Sequence, residues 1–434
     1  MMSESPEPAR ARRPIRHLRW YIAVLLCLAS ELNYLDRQTL AVLIDTIQKE
    51  LSLSTANYGE INSWFLISYA VMYAVSGRII DRIGTRKGFL FFVSAWSLAN
   101  MSHVFARSAG QFSFCRFLLG AFEPASFPGG VRAVSEWFPM RERALAVGVF
   151  NAGTALGSMI AAPVVSFIAL QFGWRSAFIV TGGIGFLWVF VWALFYRLPE
   201  QHPRLGDEER ALIVSDRRAE DEPPFRVPLS RLLRMPETWG CMLVRGLTDP
   251  ISYFLNFWIP LYFQRERGFD LRDIGLFVWI PFAALALGNI FAGAMPRFLI
   301  ARGLGLDKAR KATMLLVACS MPVFCLLVTT VDSPALALTL VAAMMFGHAG
   351  FGNIILPAEV FPAYAVGTVT GLGGALGAVV GAVTQRQIGH VVEAYSFAPI
   401  FAACAGIYLL ALLAVQVLIG TLGEIRRLGP EPAA

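Results

Sequence analysis

Long apolar stretches alternate along the chain with short polar and charged segments. A helix rises 1.5 Å per residue, so about 20 mostly apolar residues are needed to cross the roughly 30 Å hydrocarbon core of a bilayer. Twelve stretches reach this length, at about residues 20–44, 59–80, 87–106, 111–136, 143–170, 174–196, 238–262, 273–300, 310–330, 334–357, 366–390 and 396–420. A β-barrel would instead show short segments of alternating polarity. The pattern therefore predicts an all-α integral membrane protein with twelve transmembrane helices.

The longest polar segment lies between the sixth and the seventh apolar stretch. It mixes acidic and basic residues and contains Pro223, Pro224 and Pro228, a composition typical of an interdomain linker. A short surface helix is expected within it, near residues 208–218. Six helices on either side of a linker indicate two pseudo-symmetric six-helix domains. The predicted organisation is a cytoplasmic N-tail at residues 1–19, an N-terminal six-helix domain at 20–196, a cytoplasmic linker at 197–237, a C-terminal six-helix domain at 238–420 and a cytoplasmic C-tail at 421–434.

The composition supports a membrane protein and excludes several other classes. Of the 434 residues, 56% are hydrophobic and 15% are charged, whereas soluble domains carry about 25% charged residues. Such a chain is too apolar to be disordered. The six cysteines all lie within apolar stretches and show no metal-ligand spacing. No nucleophile with an adjacent base and no phosphate-binding loop is visible. We therefore expect no metal, no cofactor, no catalytic residues and no enzymatic activity.

Basic residues are concentrated in alternate loops and give the chain a net charge of +7. A nucleic-acid-binding protein would gather them on one folded face. Here the clusters lie in the N-tail, between the second and third stretches, in the linker and after the eighth stretch. The other loops hold fewer, apart from the loop with Arg265, Arg267 and Arg272. Because cytoplasmic loops are enriched in Lys and Arg, both termini and the linker are expected in the cytoplasm, and the protein in the inner (plasma) membrane.

Charged residues interrupt three of the apolar stretches near membrane depth. They are Glu31, Asp36 and Arg37 in the first stretch, Arg116 and Glu123 in the fourth, and Arg245 and Asp249 in the seventh. An ionisable group at this depth is costly unless it is paired or faces a water-filled cavity, so each is a functional candidate. Asn33 lies between Asp36 and Arg37 on the helix surface. Spacings of seven and four residues place each of the other pairs on one helix face. His348 and Asn353 mark the tenth stretch.

These charges suit a site that takes up an anion together with protons. An anion site needs cationic groups, and a proton-coupled site needs a carboxylate that can be protonated. Asp36 and Glu123 are the candidate proton carriers. Arg37, Arg116 and Arg245 are candidates for meeting the anion, because the arginine fork matches a carboxylate. A structural role, in which ion pairs only hold helices in register, stays open for Arg116 and for the pair in the seventh stretch.

The loop between the second and third stretches resembles a signature of the major facilitator superfamily of membrane transporters. It covers residues 77–88 and reads GRIIDRIGTRKG. Glycine at its first position permits close helix contact, and Asp81 can meet a helix N-terminus or an arginine across the domain interface. The resemblance implies a conformational latch that includes Gly77, Asp81, Arg82, Gly84 and Arg86.

Further motifs resemble the anion:cation symporter family within this superfamily. They are NYLDRQ at residues 33–38 and RFLLGAFEP at residues 116–124. Shorter stretches, among them FNAG at 150–153, GWR at 173–175 and LTDP at 247–250, are similar to bacterial hexuronate transporters. The resemblance covers nearly the whole chain. It implies import of an organic anion with protons by two domains that rock about a central site.

The resemblance also implies roles for individual positions. Asp36 and Glu123 match a protonatable pair. Arg37 matches an arginine tied to the anion, and Arg116 one tied to the coupling network, while Tyr34 and Tyr69 match tyrosines near a sugar-acid site. The full set of candidate substrate-binding residues is Arg37, Tyr34, Asn33, Tyr69, Asn151, Arg116, Arg245, Asp249, Tyr253, His348 and Asn353.

Some positions depart from the pattern of sugar-acid carriers. Leu66 stands where a hexuronate carrier is expected to have glutamine, Gly374 where related carriers can present a polar side chain, and residues 293–297 lack the acidic residue of a second latch. The predicted function is therefore proton-coupled import of a small organic anion, with a hexuronate or related sugar acid as the first choice and another carboxylate or a sulfonate as the second.

The sequence leaves two more distant alternatives open. One is an antiporter that exports a drug or metabolite; the other is a non-transporting sensor, which would normally carry an added domain. No segment of this sequence is long enough for such a domain. The expected partners are the anion, protons and the lipid bilayer, with no nucleic acid, and a monomer is expected to suffice.

Overall fold

The computed structural model describes residues 14–217, 227–352 and 356–423. The first half of the chain forms the helices α1 Leu18–Leu51, α2 Thr55–Ile83, α3 Thr85–Ser102, α4 Ala109–Phe122, α5 Ser126–Trp137, α6 Met140–Phe172 and α7 Trp174–Phe195. Two short helices follow, α8 Asp207–Arg217 and α9 Leu229–Leu232. The second half forms α10 Pro236–Glu266, α11 Leu271–Phe277, α12 Trp279–Ala301, α13 Leu306–Thr330, α14 Pro334–Gly350, α15 Leu356–Val360, α16 Ala363–Ala394 and α17 Ala398–Ala414.

The described helices account for all twelve predicted spans. Nine spans within these residues are long and apolar enough to cross a membrane, α11 and α12 together forming one of them. The other three have a different form: α4 and α5 make one span with a break, α10 carries two charged residues near its middle, and α14 has only 17 residues. The spans therefore fall into two sets of six, one on each side of the linker.

Several spans differ in length or continuity from the prediction. The first extends to Leu51, although it was expected to end near residue 44. The fourth is broken, because a 3-10 turn at Glu123–Ala125 separates α4 from α5. Pro124 lies in this turn and has no backbone N–H with which to continue the helix. The eighth is interrupted at Val278, three residues ahead of Pro281, since proline is best tolerated in the first turn of a helix.

Glycines let α1 and α6 pack with their backbones almost in contact. A Cβ atom on Gly153 would lie 2.0 Å from the carbonyl oxygen of Cys27, and one on Gly157 would lie 2.2 Å from that of Glu31. Small residues at helix interfaces in membranes permit this close approach. The contact fixes the position of α1, which carries the charged residues of the first span.

The two halves of the chain touch at one end and separate at the other. Near the start of α2 and the end of α16, a Cβ atom on Gly59 would lie 2.6 Å from the carbonyl oxygen of Gln385. Farther along the same face of α16, a Cβ on Gly374 would lie 3.3 Å from Cε1 of Tyr73, and one on Gly367 would have no described atom within 4 Å. The helices α2 and α16 therefore diverge along their length, and the space between the halves opens toward the N-terminal end of α1.

An arginine of the second half joins the two halves at the closed end, which holds the C-terminus of α1 and the N-terminus of α2. Arg265, at the end of α10, donates from Nη1 to Oγ1 of Thr55 at 2.7 Å and from Nη2 to Oε1 of Gln48 at 2.8 Å. Its Nε lies 3.5 Å from Oδ1 of Asp45. One guanidinium group therefore contacts three side chains of the first half.

The first part of the predicted linker is docked on the first half of the chain. Glu209 of α8 accepts hydrogen bonds from the backbone N–H groups of Leu18 and Arg19 at 3.1 and 3.2 Å. It also pairs with the Arg19 guanidinium at 2.6 Å, and the same guanidinium contacts Glu142 of α6 at 2.8 Å. The N-terminus of a helix favours a negative charge because its first N–H groups have no partner within the helix. The surface helix expected near residues 208–218 is thus present as α8, and it caps α1.

Replacing Glu209 by alanine is expected to lower the thermal unfolding midpoint of the purified protein. Loss of a helix cap costs about 0.5–2 kcal/mol, and the Arg19 ion pair is lost with it. The matched control is Glu208→Ala, which removes the neighbouring exposed carboxylate. Equal unfolding midpoints for the two variants would contradict the capping role of Glu209.

Candidate substrate-binding site

Arg37 of α1 and Glu123, at the break between α4 and α5, form a buried ion pair. Nη2 and Nε of Arg37 donate to Oε2 of Glu123 at 2.8 and 3.0 Å. The exposed fraction is 6% for Arg37 and 1% for Glu123. Asn33, one turn before Arg37, accepts from Nη2 at 3.4 Å and donates to the carbonyl oxygen of Glu123 at 3.4 Å. The break in the fourth span thus brings a carboxylate to the arginine.

Aromatic rings enclose the guanidinium group of Arg37. Its Cζ lies 4.6 Å from the ring centroid of Tyr34, 5.3 Å from that of Phe65 and 5.0 Å from that of Tyr69. These distances fit cation–π contacts, which strengthen as the cation is removed from water. Tyr34 and Tyr69 are half-buried, whereas Phe65 is buried. An anion that enters the space between the halves would therefore approach Arg37 beside these two tyrosines.

Arg116 lies behind the ion pair. Its Nη2 donates to the carbonyl oxygen of Arg37 at 3.0 Å. Its Nε and Nη1 are buried, and neither has a hydrogen-bond partner in the described part of the chain. The backbone N–H of Glu123 still donates to the carbonyl oxygen of Leu119, so the helical spacing from Arg116 extends to Glu123 and the break follows it. The carboxylate of Glu123 bonds to Arg37, and Arg116 adds a fixed positive charge near both.

Asp36 is fully buried and faces α3 and α7. Its Oδ1 accepts a hydrogen bond from Nδ2 of Asn100 at 2.6 Å, and the same amide group donates to Oγ1 of Thr181 at 2.8 Å. Its Oδ2 has no partner among the described residues. Asp36 and Arg37 face different neighbours because successive helix residues are about 100° apart. Sequence reasoning missed Asn100 and Thr181, although each is a polar residue within an apolar span.

The second half supplies an ion pair of its own. Nε of Arg245 donates to the two carboxylate oxygens of Asp249 at 2.9 and 2.7 Å. The pair lies on one face of α10, as the four-residue spacing predicts. Tyr253 follows one turn later and packs on α16, where a Cβ atom on Gly381 would lie 2.6 Å from its Cδ2. Tyr73 of α2, another residue that sequence reasoning missed, approaches this region from the first half.

The remaining candidates take different positions. Nδ1 of His348 lies 2.6 Å from the hydroxyl oxygen of Tyr408, which is fully buried. Asn151 is exposed. It lies on the same face of α6 as Ala162, three turns earlier, and this face packs against Gly275 of α11 near Ala162. It therefore borders the space between the halves. Asn353 lies outside the described residues. Within the described ranges, no group of three or more His, Cys, Asp and Glu side chains could hold a metal ion.

The predicted latch is formed within the first half. Nη1 of Arg132, in α5, lies 2.8 Å from Oδ1 of Asp81 and donates to the carbonyl oxygen of Ile80 at 3.1 Å. Glu136 accepts from Nε of Arg132 at 3.0 Å and from Oγ1 of Thr85 at 2.8 Å. The expectation that Asp81 meets an arginine across the domain interface is therefore wrong for this conformation, because the halves are apart at this end.

The other latch residues surround the turn between α2 and α3. Gly84 forms the turn with a φ of 82°, in the region that favours glycine. Arg86 donates from Nη2 to the carbonyl oxygen of Ala193 at 2.6 Å. Gly77 is half-buried and Arg82 is exposed. The latch therefore ties together several helices of the first half.

The corresponding end of the second half uses a different pair. Residues 293–297 contain no acidic residue, and here Nε of Arg310, in the first turns of α13, donates to Oε1 of Glu359 in α15. Nη1 of Arg310 also donates to the carbonyl oxygen of Ala292 at 2.6 Å. One arginine thus joins α12, α13 and α15 without an acidic residue at positions 293–297 of α12.

Two sets of six helices around a space lined by charged and aromatic residues form the architecture of a membrane transporter. The sequence model of the Major Facilitator Superfamily matches residues 26–385. The chain belongs to the Major Facilitator Superfamily, and it is a multi-pass membrane transporter rather than an enzyme.

Similar proteins include several carriers of sugar acids. The chain is 33% identical over 413 residues to the hexuronate transporter of Escherichia coli K12, covering 94% of this chain and 95% of the relative. It is 36% identical over 284 residues to the galacturonate transporter of Dickeya chrysanthemi, covering 65% and 82%. It is 28% identical over 441 residues to the D-galactonate transporter of Escherichia coli O6:H1, covering 97% and 99%. The resemblance to hexuronate transporters is thus confirmed.

Solved structures confirm the fold. The inward-open xylose transporter of Escherichia coli matches with a TM-score of 0.72 and 14% identity, over 92% of this chain and 96% of that one. A bacterial homolog of the human lysosomal transporter Spinster, inward-facing and occupied, matches with a TM-score of 0.70 and 16% identity, over 93% and 95%. At this level of identity the similarity concerns the fold alone.

Proposed function

We propose that this transporter imports a small organic anion together with protons, and that the anion is a hexuronate or a related sugar acid. Hexuronate, galacturonate, galactarate or D-glucarate, and galactonate are the substrates named for relatives at 28–36% identity. The observation that carries the proposal is the Arg37–Glu123 pair beside the space between the halves. A substrate carboxylate has the same chemistry as the Glu123 side chain, so it can replace that side chain on the guanidinium.

Protonation of Glu123 provides the coupling. A neutral Glu123 no longer balances the charge of Arg37, so the guanidinium becomes available to the anion. When the site opens to the side of higher pH, Glu123 loses its proton, pairs with Arg37 again and displaces the substrate. Asp36, held by Asn100, is the second proton carrier. Release of the substrate is thus linked to release of a proton.

Alternating access moves the site from one side of the membrane to the other. With both termini and the linker in the cytoplasm of the inner membrane, as the basic loops favour, the closed end faces the outside. The space between the halves then opens to the cytoplasm. Rocking of the halves breaks the contacts of Arg265 and closes the opposite end. Both ion pairs come from one chain, so a monomer suffices.

A thermal-shift screen of the purified protein tests the substrate class. The ligands are uronates and aldonates, aromatic carboxylates and small sulfonates, each at several concentrations. The proposal expects the uronates or aldonates to raise the unfolding midpoint most, because ligand binding to the folded state stabilises it by mass action. Stabilisation by sulfonates or aromatic acids alone would contradict a sugar-acid substrate.

Replacing Glu123 by glutamine is expected to separate exchange from proton coupling. The amide stands in for the protonated carboxyl group, so counterflow of labelled galacturonate persists, whereas uptake driven by an inward proton gradient falls at least about tenfold, as expected for loss of one proton-transfer group. The control is Glu50→Gln, which alters a surface carboxylate paired with Arg175. Unchanged gradient-driven uptake in Glu123→Gln would rule out a coupling role for Glu123.

A further inference from the structure

The ion pair of the second half lies beside the same space as Arg37 but carries no net charge. The side chains of Arg245 and Asp249 are 15% and 9% exposed, so both are largely removed from water without being sealed off. Arg245 directs its Nε to both oxygens of Asp249, and its Nη2 lies 2.7 Å from Oδ2. This cation is therefore already matched by a carboxylate of its own helix.

Two tyrosines of α2 connect the two ion pairs. The ring centroid of Tyr69 lies 5.0 Å from Cζ of Arg37. Tyr73, four residues later, has its ring centroid 5.9 Å from that of Tyr69. A Cβ atom on Gly374 would lie 3.3 Å from Cε1 of Tyr73 and 3.5 Å from Nη2 of Arg245. One helical turn of α2, about 5.4 Å, therefore separates the tyrosine beside Arg37 from the tyrosine near Arg245, and a six-carbon chain lying along these two rings would extend from one ion pair toward the other.

The glycines of α16 hold the second pair in place. A Cβ atom on Gly377 would lie 2.2 Å from Oδ2 of Asp249, and one on Gly373 would lie 3.1 Å from Cγ of Arg245. The side chains are therefore packed directly on the backbone of α16. This packing keeps Arg245 against its own carboxylate and limits its use as a second free cation.

We infer that the Arg245–Asp249 pair selects sugar acids with one carboxylate over those with two. The inference rests on the proposed function, in which Arg37 binds the substrate carboxylate. The other end of the six-carbon chain then reaches Arg245, which donates to hydroxyl oxygens, and Asp249, which accepts from hydroxyl groups. A second carboxylate at that end finds no free cation, because Arg245 is already neutralised by Asp249, and it lies close to the like charge of the Asp249 carboxylate; both effects disfavour binding.

Competition between two ligands tests this selectivity. Counterflow of labelled galacturonate, which has one carboxylate, is measured in proteoliposomes against unlabelled galacturonate and against galactarate, which has a carboxylate at each end of the same chain. We expect galactarate to compete at least about tenfold more weakly in the wild-type protein, a factor set by the like-charge contact. Equal competition by the two ligands would overturn the inference.

Variants of the pair are expected to shift the ratio of galactarate competition to galacturonate competition in opposite directions. Asp249→Asn removes the negative charge and keeps an oxygen acceptor. Competition by galactarate should therefore strengthen at least about tenfold relative to competition by unlabelled galacturonate. Arg245→Gln leaves Asp249 without its cation and should reject galactarate more strongly than the wild type does. The matched control is Asp307→Asn. It removes the carboxylate of another ion pair in the same half, the pair between Asp307 and Lys311, which are also four residues apart.

The outcomes separate this inference from the proposed function. An unchanged ratio in Asp249→Asn overturns the selectivity role of the pair, even if both acids are transported. If Asp249→Asn does not fold, Arg245→Gln decides, since a ratio equal to that of the wild type overturns the inference equally. Failure of the wild-type protein to exchange any sugar acid would instead overturn the proposed function.

Discussion

Replacing Arg37 by glutamine is expected to reduce sugar-acid uptake at least about 100-fold, because truncating one partner of a buried charge pair costs roughly 2–5 kcal/mol. The guanidinium is the only group of the first ion pair that can bind a carboxylate, and Tyr34, Phe65 and Tyr69 hold it beside the space between the halves. Arg37→Lys keeps the charge but loses the planar fork, so we expect a raised KM and partial uptake. The measurement is initial uptake of labelled galacturonate into proteoliposomes.

Two controls separate the lost anchor from a folding defect. Arg175→Lys changes a surface arginine that pairs with Glu50 at 2.6 Å and should leave uptake unchanged. The double variant Arg37→Gln with Glu123→Gln removes both buried charges, so it should unfold close to the wild-type midpoint and still fail to transport. Uptake within about threefold of the wild type in Arg37→Gln, well below the cost of a lost charge pair, would show that the anion binds elsewhere.

Replacing Arg265 by alanine is expected to open the closed end. Its guanidinium group contacts Gln48, Thr55 and Asp45 of the first half. A hydrogen bond to a charged group contributes about 1.5–3 kcal/mol, so loss of these contacts should shift the ratio of closed to open forms at this end at least about tenfold. Arg107 and Asp332 are exposed positions in loops of the two halves at the closed end. Spin labels at these positions would show a larger population with a long label-to-label distance in the variant than in the wild type.

The neighbouring arginine provides a matched control for this prediction. Arg267 donates from Nε to the hydroxyl oxygen of Tyr262 at 2.7 Å and from Nη2 to the carbonyl oxygen of Val328 at 2.8 Å, both within the second half. Arg267→Ala removes a similar charge from the same helix end without breaking a contact between the halves. If the two variants gave the same distance distribution, Arg265 would not be what holds the closed end together.

Local spacing predicted those parts of the site that depend on one helix. The Arg245–Asp249 pair follows directly from four residues of helical spacing, and the apolar stretches gave the twelve spans. Pro124 cannot continue an α-helix, so the sequence itself carries a signal for the break in the fourth span. The break follows Glu123, whose backbone N–H still bonds to the carbonyl oxygen of Leu119.

Contacts between distant segments could not be read from the sequence. Arg37 and Glu123 are 86 residues apart, and no periodicity within one helix indicates which partners meet. The same holds for Asp36 with Asn100 and for Arg265 at the closed end, since these contacts depend on how the helices pack. The relevant signal was a polar residue in an apolar span, which identifies a candidate without its partner.

Gradient-driven uptake tests the central claim most directly. Wild-type protein in proteoliposomes is given labelled galacturonate under an imposed inward proton gradient, with a protonophore in a parallel sample. We expect accumulation above the equilibrium level that disappears with the protonophore, because proton entry is the driving force. Uptake that only equilibrates, with or without the protonophore, or accumulation that needs an outward gradient, would contradict proton-coupled import of a sugar acid.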